Sequence, residues 1–252
     1  MITLTAALKE FIREFGRRRG HDEPANLVIA ADNCWNLKIS CDLTGLPGLC
    51  IRSLQDGDLP LLQEFGAKLG PASKDLFCPY PWNDPETLPA AFQKAIQNSR
   101  ARIDASYLIE SAGHGVIGHF FLWKAGGNPH SREYQVEVPE LGVAIADGFQ
   151  GKGLGWLSVR ILQAVATDLH ADAIELTTAF ANDAGWKTYQ RCGFQHIGDI
   201  NTPLGVDVTA ALTDGVTASS YRVERQMLYM ISEENRERVL SYLETKRKTA
   251  PA

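Results

Sequence analysis

Apolar positions along the chain switch between a spacing of three or four and a spacing of two, and the switches divide it into elements. Leu4, Leu8, Phe11, Ile12 and Phe15 share one helical face, predicting a short amphipathic helix over 1–20 that ends at Gly16 with Arg17, Arg18 and Arg19 behind it. The runs LVIA, NLKISCDL and LCIRSL in residues 27–54 alternate as strands do, and Asn33, Gly45, Pro47 and Gly48 punctuate them. Helical spacing returns over about 57–69 and again over 87–101, where Leu88, Phe92, Ala95 and Ile96 line one side. Ser106 to Glu110 and Val116 to Trp123 read as a hairpin through Ala112-Gly113-His114-Gly115, followed by a third strand-like run from Tyr134 to Ile145. Leu154, Leu157, Ile161, Leu162, Val165 and Leu169 then mark a helix, Ile174 to Thr178 a strand parallel by its helical crossover, and a further strand follows Phe194 to Ile200. Tyr221 to Ile231 alternates as the last strand. Ser232 is placed to cap a terminal helix docked by Val239, Leu240 and Leu243, with Glu233 and Glu234 at one pole and Lys246, Arg247 and Lys248 at the other.

Two stretches escape this patterning. Residues 70–89 are dense in proline and aromatics, among them Phe77, Tyr80 and Trp82, which suits either a shaped binding loop or a cap on the core. Residues 201–220 are mostly uncharged and long for a simple connection.

Composition narrows the class of function. With 44% hydrophobic and 22% charged residues, the 252-residue chain has the make-up of a globular protein with a substantial core. Its net charge of −5 gives no footprint for nucleic acid or an anionic membrane, and no segment is apolar enough to span a bilayer. The triple arginine reads as a capped and solvated helix end, with contact to an acidic partner as the alternative. Five cysteines without a C-x-x-C pair read as reduced thiols in a cytoplasmic protein, with no metal site expected.

The stretch that organises the chain is Glu140 to Gly155, ELGVAIADGFQGKGLG. A strand with one small face runs into a glycine-rich turn and a helix start, which together make an anion site from backbone N–H groups and the helix dipole. Neither the dinucleotide fingerprint nor the Walker loop is present. Gln150-Gly151-Lys152-Gly153-Leu154-Gly155 resembles instead the Q/R-x-x-G-x-G/A pyrophosphate loop of the GNAT superfamily of acetyl-CoA-dependent N-acyltransferases. Asn182, Gly185, Tyr189, Gly193 and Phe194 resemble its second segment, N-x-x-A-x-x-x-Y-x-x-x-G-F, with Gly185 in place of the usual alanine.

The resemblance implies an α+β fold, a mixed and mostly antiparallel central sheet flanked by helices. Residues 51–231 would form the GNAT-like domain, 1–50 an N-terminal extension without assigned function, and 232–252 a C-terminal helix and tail. It further implies an N-acetyltransferase that moves an acetyl group directly from acetyl-CoA to a primary amine of a small molecule or protein. A non-catalytic acyl-CoA-binding or regulatory module is the competing reading. Cofactor contacts would come from Val143, Ala144, Ile145, Gln150, Gly151, Lys152, Gly153, Leu154, Gly155, Asn182 and Tyr189. Glu140 would be the base and Tyr189 the acid for the leaving thiolate, while a backbone N–H near Val143 to Ala144 would stabilise the oxyanion. Deprotonating a lysine-like amine at pH 7 costs about 4–5 kcal/mol, so a positioned base matters. His119, inside a strand, reads as a packed or hydrogen-bonded core residue, and Cys192 is not needed as a nucleophile. A homodimer is allowed, though no residue specifies it.

Overall fold

The computed structural model describes residues 3–20, 23–204 and 220–250. Helix α1 (Leu4–Arg17) begins where Thr3 Oγ1 accepts the Ala6 N–H at 3.3 Å, and it buries Leu8, Ile12 and Phe15 as its spacing requires. Strands β1 (Ala25–Asn33), β2 (Asn36–Leu43) and β3 (Leu46–Ser53) form an antiparallel meander. In β2 every second residue, Leu37, Ile39, Cys41 and Leu43, is buried. Strand β3 pairs with β4 (Ala105–Ser111), so the first fifty residues continue the sheet of the rest of the chain.

Helices α2 (Leu59–Ala67), α3 (Pro71–Leu76) and α4 (Leu88–Arg100) lie between β3 and the hairpin of β4 with β5 (Gly115–Trp123). The third run is shorter than its pattern predicts. It is extended only as β6 (Glu140–Ile145), preceded by the short helix α5 (Pro129–Arg132). Gln135 has a positive φ of 57°, Pro139 offers no N–H to a ladder, and Val136 and Val138 are buried against Val239, Tyr242 and Leu243 of the terminal helix. Helix α6 (Leu154–Asp168), β7 (Ala173–Ala179), α7 (Asp183–Arg191), β8 (Gln195–Leu204), β9 (Ser220–Met230) and α8 (Arg236–Thr249) complete the chain. Strand β8 runs four residues beyond the expected Ile200, and 205–219, the remainder of the patternless connection, lie outside the described residues.

The nine strands make one sheet in the order β1-β2-β3-β4-β5-β6-β7-β9-β8, antiparallel throughout except between β6 and β7. Its two faces bury alternate residues: Tyr107 and Ile109 join the core that holds α1 and α6, whereas Leu108 joins the core of α2 and α4. Ser232 does not cap the last helix. Its N–H bonds back to Asp172 O at 2.9 Å, Glu233–Asn235 form a 3-10 turn, and α8 starts only at Arg236.

Candidate active site

Strands β6 and β7 pair at a single point, Glu140 opposite Glu175, where the Glu175 N–H reaches Pro139 O at 3.1 Å. Past that point β7 pairs along its whole length with β9, while β6 pairs with β5, and the two parallel strands part. The Ala146 N–H donates to Ile117 O on β5 at 2.9 Å, which fixes the alternation: even-numbered residues of β6 address β5, and Val143 and Ile145 turn their backbone groups toward the gap. Of the two N–H groups named from the sequence for the oxyanion, this leaves Val143. Ala144 lies opposite His119 in the ladder.

The glycine turn closes one end of the gap. Gly151 and Gly153 have φ of 72° and 82°, a conformation that side-chain-bearing residues rarely adopt, and Gly153 is the N-cap of α6 without any side chain bonded there. The first N–H groups of α6 therefore have no intrahelical partner. A Cβ at Gly151 or Gly155 would meet nothing within 4 Å, so the space before them is open, and a Cβ at Gly153 would lie 3.2 Å from the Phe15 ring. The Gln150 side chain is a tie within the loop: its Nε2 donates to Ile145 O at 3.1 Å and to Ser73 Oγ at 3.0 Å. Asp147 accepts from Ser73 Oγ at 2.6 Å and from the Gly70 N–H at 3.0 Å, so the turn is moored to the start of α3. Lys152 Nζ sits 4.4 Å from the centroid of the Phe149 ring.

Helix α7 supplies the facing wall. Asn182 Oδ1 accepts the Gly185 N–H at 2.9 Å as an N-cap, and its Nδ2 donates to Thr178 Oγ1 at 3.1 Å. A Cβ at Gly185 would stand 2.5 Å from Asn182 Nδ2, which is why glycine takes the usual alanine's place while the cap folds over it. Two turns on, the Tyr189 ring is buried while its hydroxyl stays accessible where the residue lines the cleft, and among the described residues that hydroxyl has no hydrogen-bond partner. Burial, with the Glu224 carboxylate nearby, holds this phenol protonated well above its ordinary range. The cleft bounded by β6, the turn, α6 and α7 has a volume of about 940 Å³. A second cavity of about 80 Å³ on the other side of Val143 and Tyr189 is lined by Phe121, Trp123, Glu140 and Glu224.

Residues 48–195, more than half of the chain, match the family model of the acetyltransferase (GNAT) domain. The chain belongs to the GNAT acetyltransferase family. Solved structures agree at the level of fold. The spermidine N-acetyltransferase of Vibrio cholerae in complex with CoA and spermine is 20% identical with a TM-score of 0.51, over 72% of this chain and 95% of that one. The ribosomal-protein-S5-alanine acetyltransferase of Vibrio fischeri is 11% identical with a TM-score of 0.56, over 73% and 94%. A ribosomal L7/L12 α-N-protein acetyltransferase is 16% identical with a TM-score of 0.52, over 73% and 90%. No curated protein sequence matches the chain.

In this GNAT chain the small cavity carries two carboxylates, each tied to a cation. Glu140 Oε2 lies 3.1 Å from Lys246 Nζ, which also reaches Glu175 Oε1 at 2.9 Å. Burial opposes the Lys246 charge, but the Glu140 and Glu175 carboxylates outweigh it and hold the ammonium protonated well above its usual range. Glu224 Oε1 takes Arg222 Nη2 at 2.6 Å and Nε at 2.9 Å, and Arg222 continues to Asp75 Oδ2 at 2.9 Å. Glu140 Oε1 and Glu224 Oε2 have no protein partner among the described residues. Neither Glu224 nor Lys246 stood out as a site residue in the sequence. A period-two polar row, Arg222, Glu224 and Gln226, was the available signal for the former. His119 is the hydrogen-bonded core residue expected: Nδ1 bonds Tyr107 O at 3.0 Å, Nε2 meets the Tyr80 hydroxyl at 2.8 Å, and burial pulls its pKa down to about 4. Burial pushes the Cys192 thiol up to about 11, so it is no nucleophile at neutral pH. In the aromatic stretch Phe77 and Tyr80 pack with Phe92 and Phe121 as a cap on the core, and Phe77 and Cys78 also line the small cavity.

Proposed function

We propose that the chain is an acetyl-CoA-dependent N-acetyltransferase that transfers acetyl directly to a primary amine of a small molecule or protein. The observation that carries this reading is the placement of Val143 and Tyr189 at the junction of a large phosphate-friendly cleft and a small carboxylate-lined cavity. The residues fit the group: open space before Gly151 and Gly155, unpaired N–H groups at the start of α6, and the free backbone edge of Val143 match a diphosphate followed by an amide-bearing arm. Acetyl-CoA supplies an acyl group activated as a thioester.

The chain's own groups divide the remaining work. The Val143 N–H is aimed into the gap for the oxygen that gains charge. The Tyr189 hydroxyl, protonated and without a competing partner, is the donor for the leaving sulfur. Two carboxylates in the small cavity, each with one oxygen that its paired cation leaves free, can receive an ammonium there, Glu224 docking it and Glu140 accepting its proton. Glu140→Gln should lower kcat/KM with little change in acetyl-CoA affinity, whereas Glu224→Gln should chiefly raise the acceptor KM; an E140Q variant with unchanged kcat/KM would remove Glu140 from the base role.

The test is calorimetric titration with acetyl-CoA, ATP and NAD, followed by release of free thiol in the presence of primary amines. Binding of acetyl-CoA alone with amine-dependent thiol release is the expected result. Tight binding without release for any amine would favour the non-catalytic acyl-CoA-binding module, and no binding by folded protein would sink both.

A further inference from the structure

The helix that precedes the family domain is part of the cleft wall. Residues 1–47 lie outside the GNAT match, yet Phe15, Arg18 and Arg19 line the same cleft as the glycine turn. Their position is fixed by the core: Leu8, Ile12 and Phe15 are at most 1% exposed, and the Phe11 ring lies 4.4 Å beneath the Arg160 guanidinium of α6. Phe15 abuts Gly153 itself. Arg19 then grips the turn, with Nη1 donating to Lys152 O at 3.0 Å and Nη2 to Thr44 O at 2.7 Å. Its Nε is buried with no partner, the one such side-chain atom among the described residues.

Arg18 is held differently. Its guanidinium lies 4.2 Å over the Trp156 ring, one turn into α6, and Glu14 takes its Nε at 3.1 Å and its Nη2 at 2.7 Å. Nη1 is left over on an exposed cation that the Trp156 ring and Glu14 orient at the cleft wall. Across the described lining the charges are lopsided: Arg18, Arg19, Lys152, Lys187 and Arg191 against Asp183. A backbone turn suffices for one diphosphate, and this excess of cations does not follow from it. CoA carries a second anionic group, the 3′-phosphomonoester of its adenosine, with about −1.5 to −2 charge at neutral pH.

We infer that α1 and its arginines form a phosphate subsite for the nucleotide end of CoA, so that the extension completes the cofactor site of the family domain. The inference rests on the acetyl-CoA reading above. Arg18 supplies a pre-oriented donor to a phosphate oxygen, and Arg19 sets the turn against which the nucleotide lies.

The experiment is calorimetric titration of the full chain with CoA and with 3′-dephospho-CoA, for the wild type, Arg18→Gln, Arg18→Lys and, as a control on the same helix, Arg17→Gln, whose exposed side chain pairs with Glu10 away from the cleft. Arg18→Gln should weaken CoA binding about tenfold, R18K should recover part of it, and R17Q should match the wild type. Loss confined to CoA places the 3′-phosphomonoester at Arg18; equal loss with both ligands places the diphosphate there. Wild-type affinity in R18Q, or equal losses in R17Q and R18Q, would overturn the subsite. Failure of the wild type to bind CoA at all would instead overturn the cofactor reading, so the two failures are distinct.

Discussion

Tyr189 stands between the two cavities with its hydroxyl unclaimed by the described protein. A merely structural tyrosine would spend that hydroxyl on a neighbour. Tyr189→Phe should therefore lower kcat by about tenfold to a thousandfold while leaving the acetyl-CoA dissociation constant within about twofold, read by thiol release and calorimetry. Unchanged turnover would end the acid role. Gly153 makes the complementary case for backbone. Its φ of 82° and the Phe15 ring, which would lie 3.2 Å from a Cβ at this position, leave no room for a β-branched side chain, so Gly153→Val should reshape the turn and abolish CoA binding. Retained affinity in a folded G153V protein would show that the turn does not hold the phosphates. At the same scale, Gly185 explains its own departure from the family pattern, because alanine there would push the Asn182 cap aside.

At the scale of elements, helix α8 reaches the candidate site from the far end of the chain. Its spacing shows a docking face in Val239 and Leu243, but Lys246 looks like one of three cations at a helix terminus. In the fold it lies between Glu140 and Glu175, and Glu175 is 1% exposed. Removing one partner of such a cluster leaves uncompensated buried charge. Lys246→Met should therefore cost about 3 kcal/mol or more in urea unfolding, and adding Glu175→Gln should restore part of it. A loss no larger than that of an exposed lysine would mean that the cluster is screened by solvent. Helix α1 carries the same lesson: the face that buries Leu8 and Phe15 was legible from spacing, whereas the arrival of Arg18 and Arg19 at the glycine turn depends on where α6 lies.

For the whole molecule, His119 is a pH-dependent strut at the centre of the sheet. Unfolded histidine takes up a proton near pH 6.5, but the folded one, buried and bonded to Tyr107 O and Tyr80, does so only near pH 4. The unfolded state thus binds more protons between these values, so this contribution to stability is complete above pH 6.5 and disappears as pH falls toward 4. The span corresponds to about 3 kcal/mol. His119→Asn, which cannot titrate, should be destabilised near neutral pH, and its deficit relative to the wild type should shrink by about that amount toward pH 4, measured by urea unfolding. A deficit independent of pH would show that His119 does not titrate with folding.

Whatever repeats locally or is confined to a short stretch could be read from the chain alone. Periodicity of two and of three to four marked the strands and helices, because side chains must alternate across a sheet and stripe a helix. The glycine turn and the Asn182 to Phe194 segment marked the candidate site because backbone access and capping are local requirements. Where local pattern met a competing tertiary demand it misled: the run from Tyr134 to Val138 looks like a strand, but its valines pack under α8. The pairing of Glu140 with Lys246, the presence of Glu224 in the small cavity, and the placement of Arg18 and Arg19 beside the turn came from tertiary packing alone. Each joins residues that stand far apart in the chain, and spacing along a sequence carries no record of which charges folding will desolvate together.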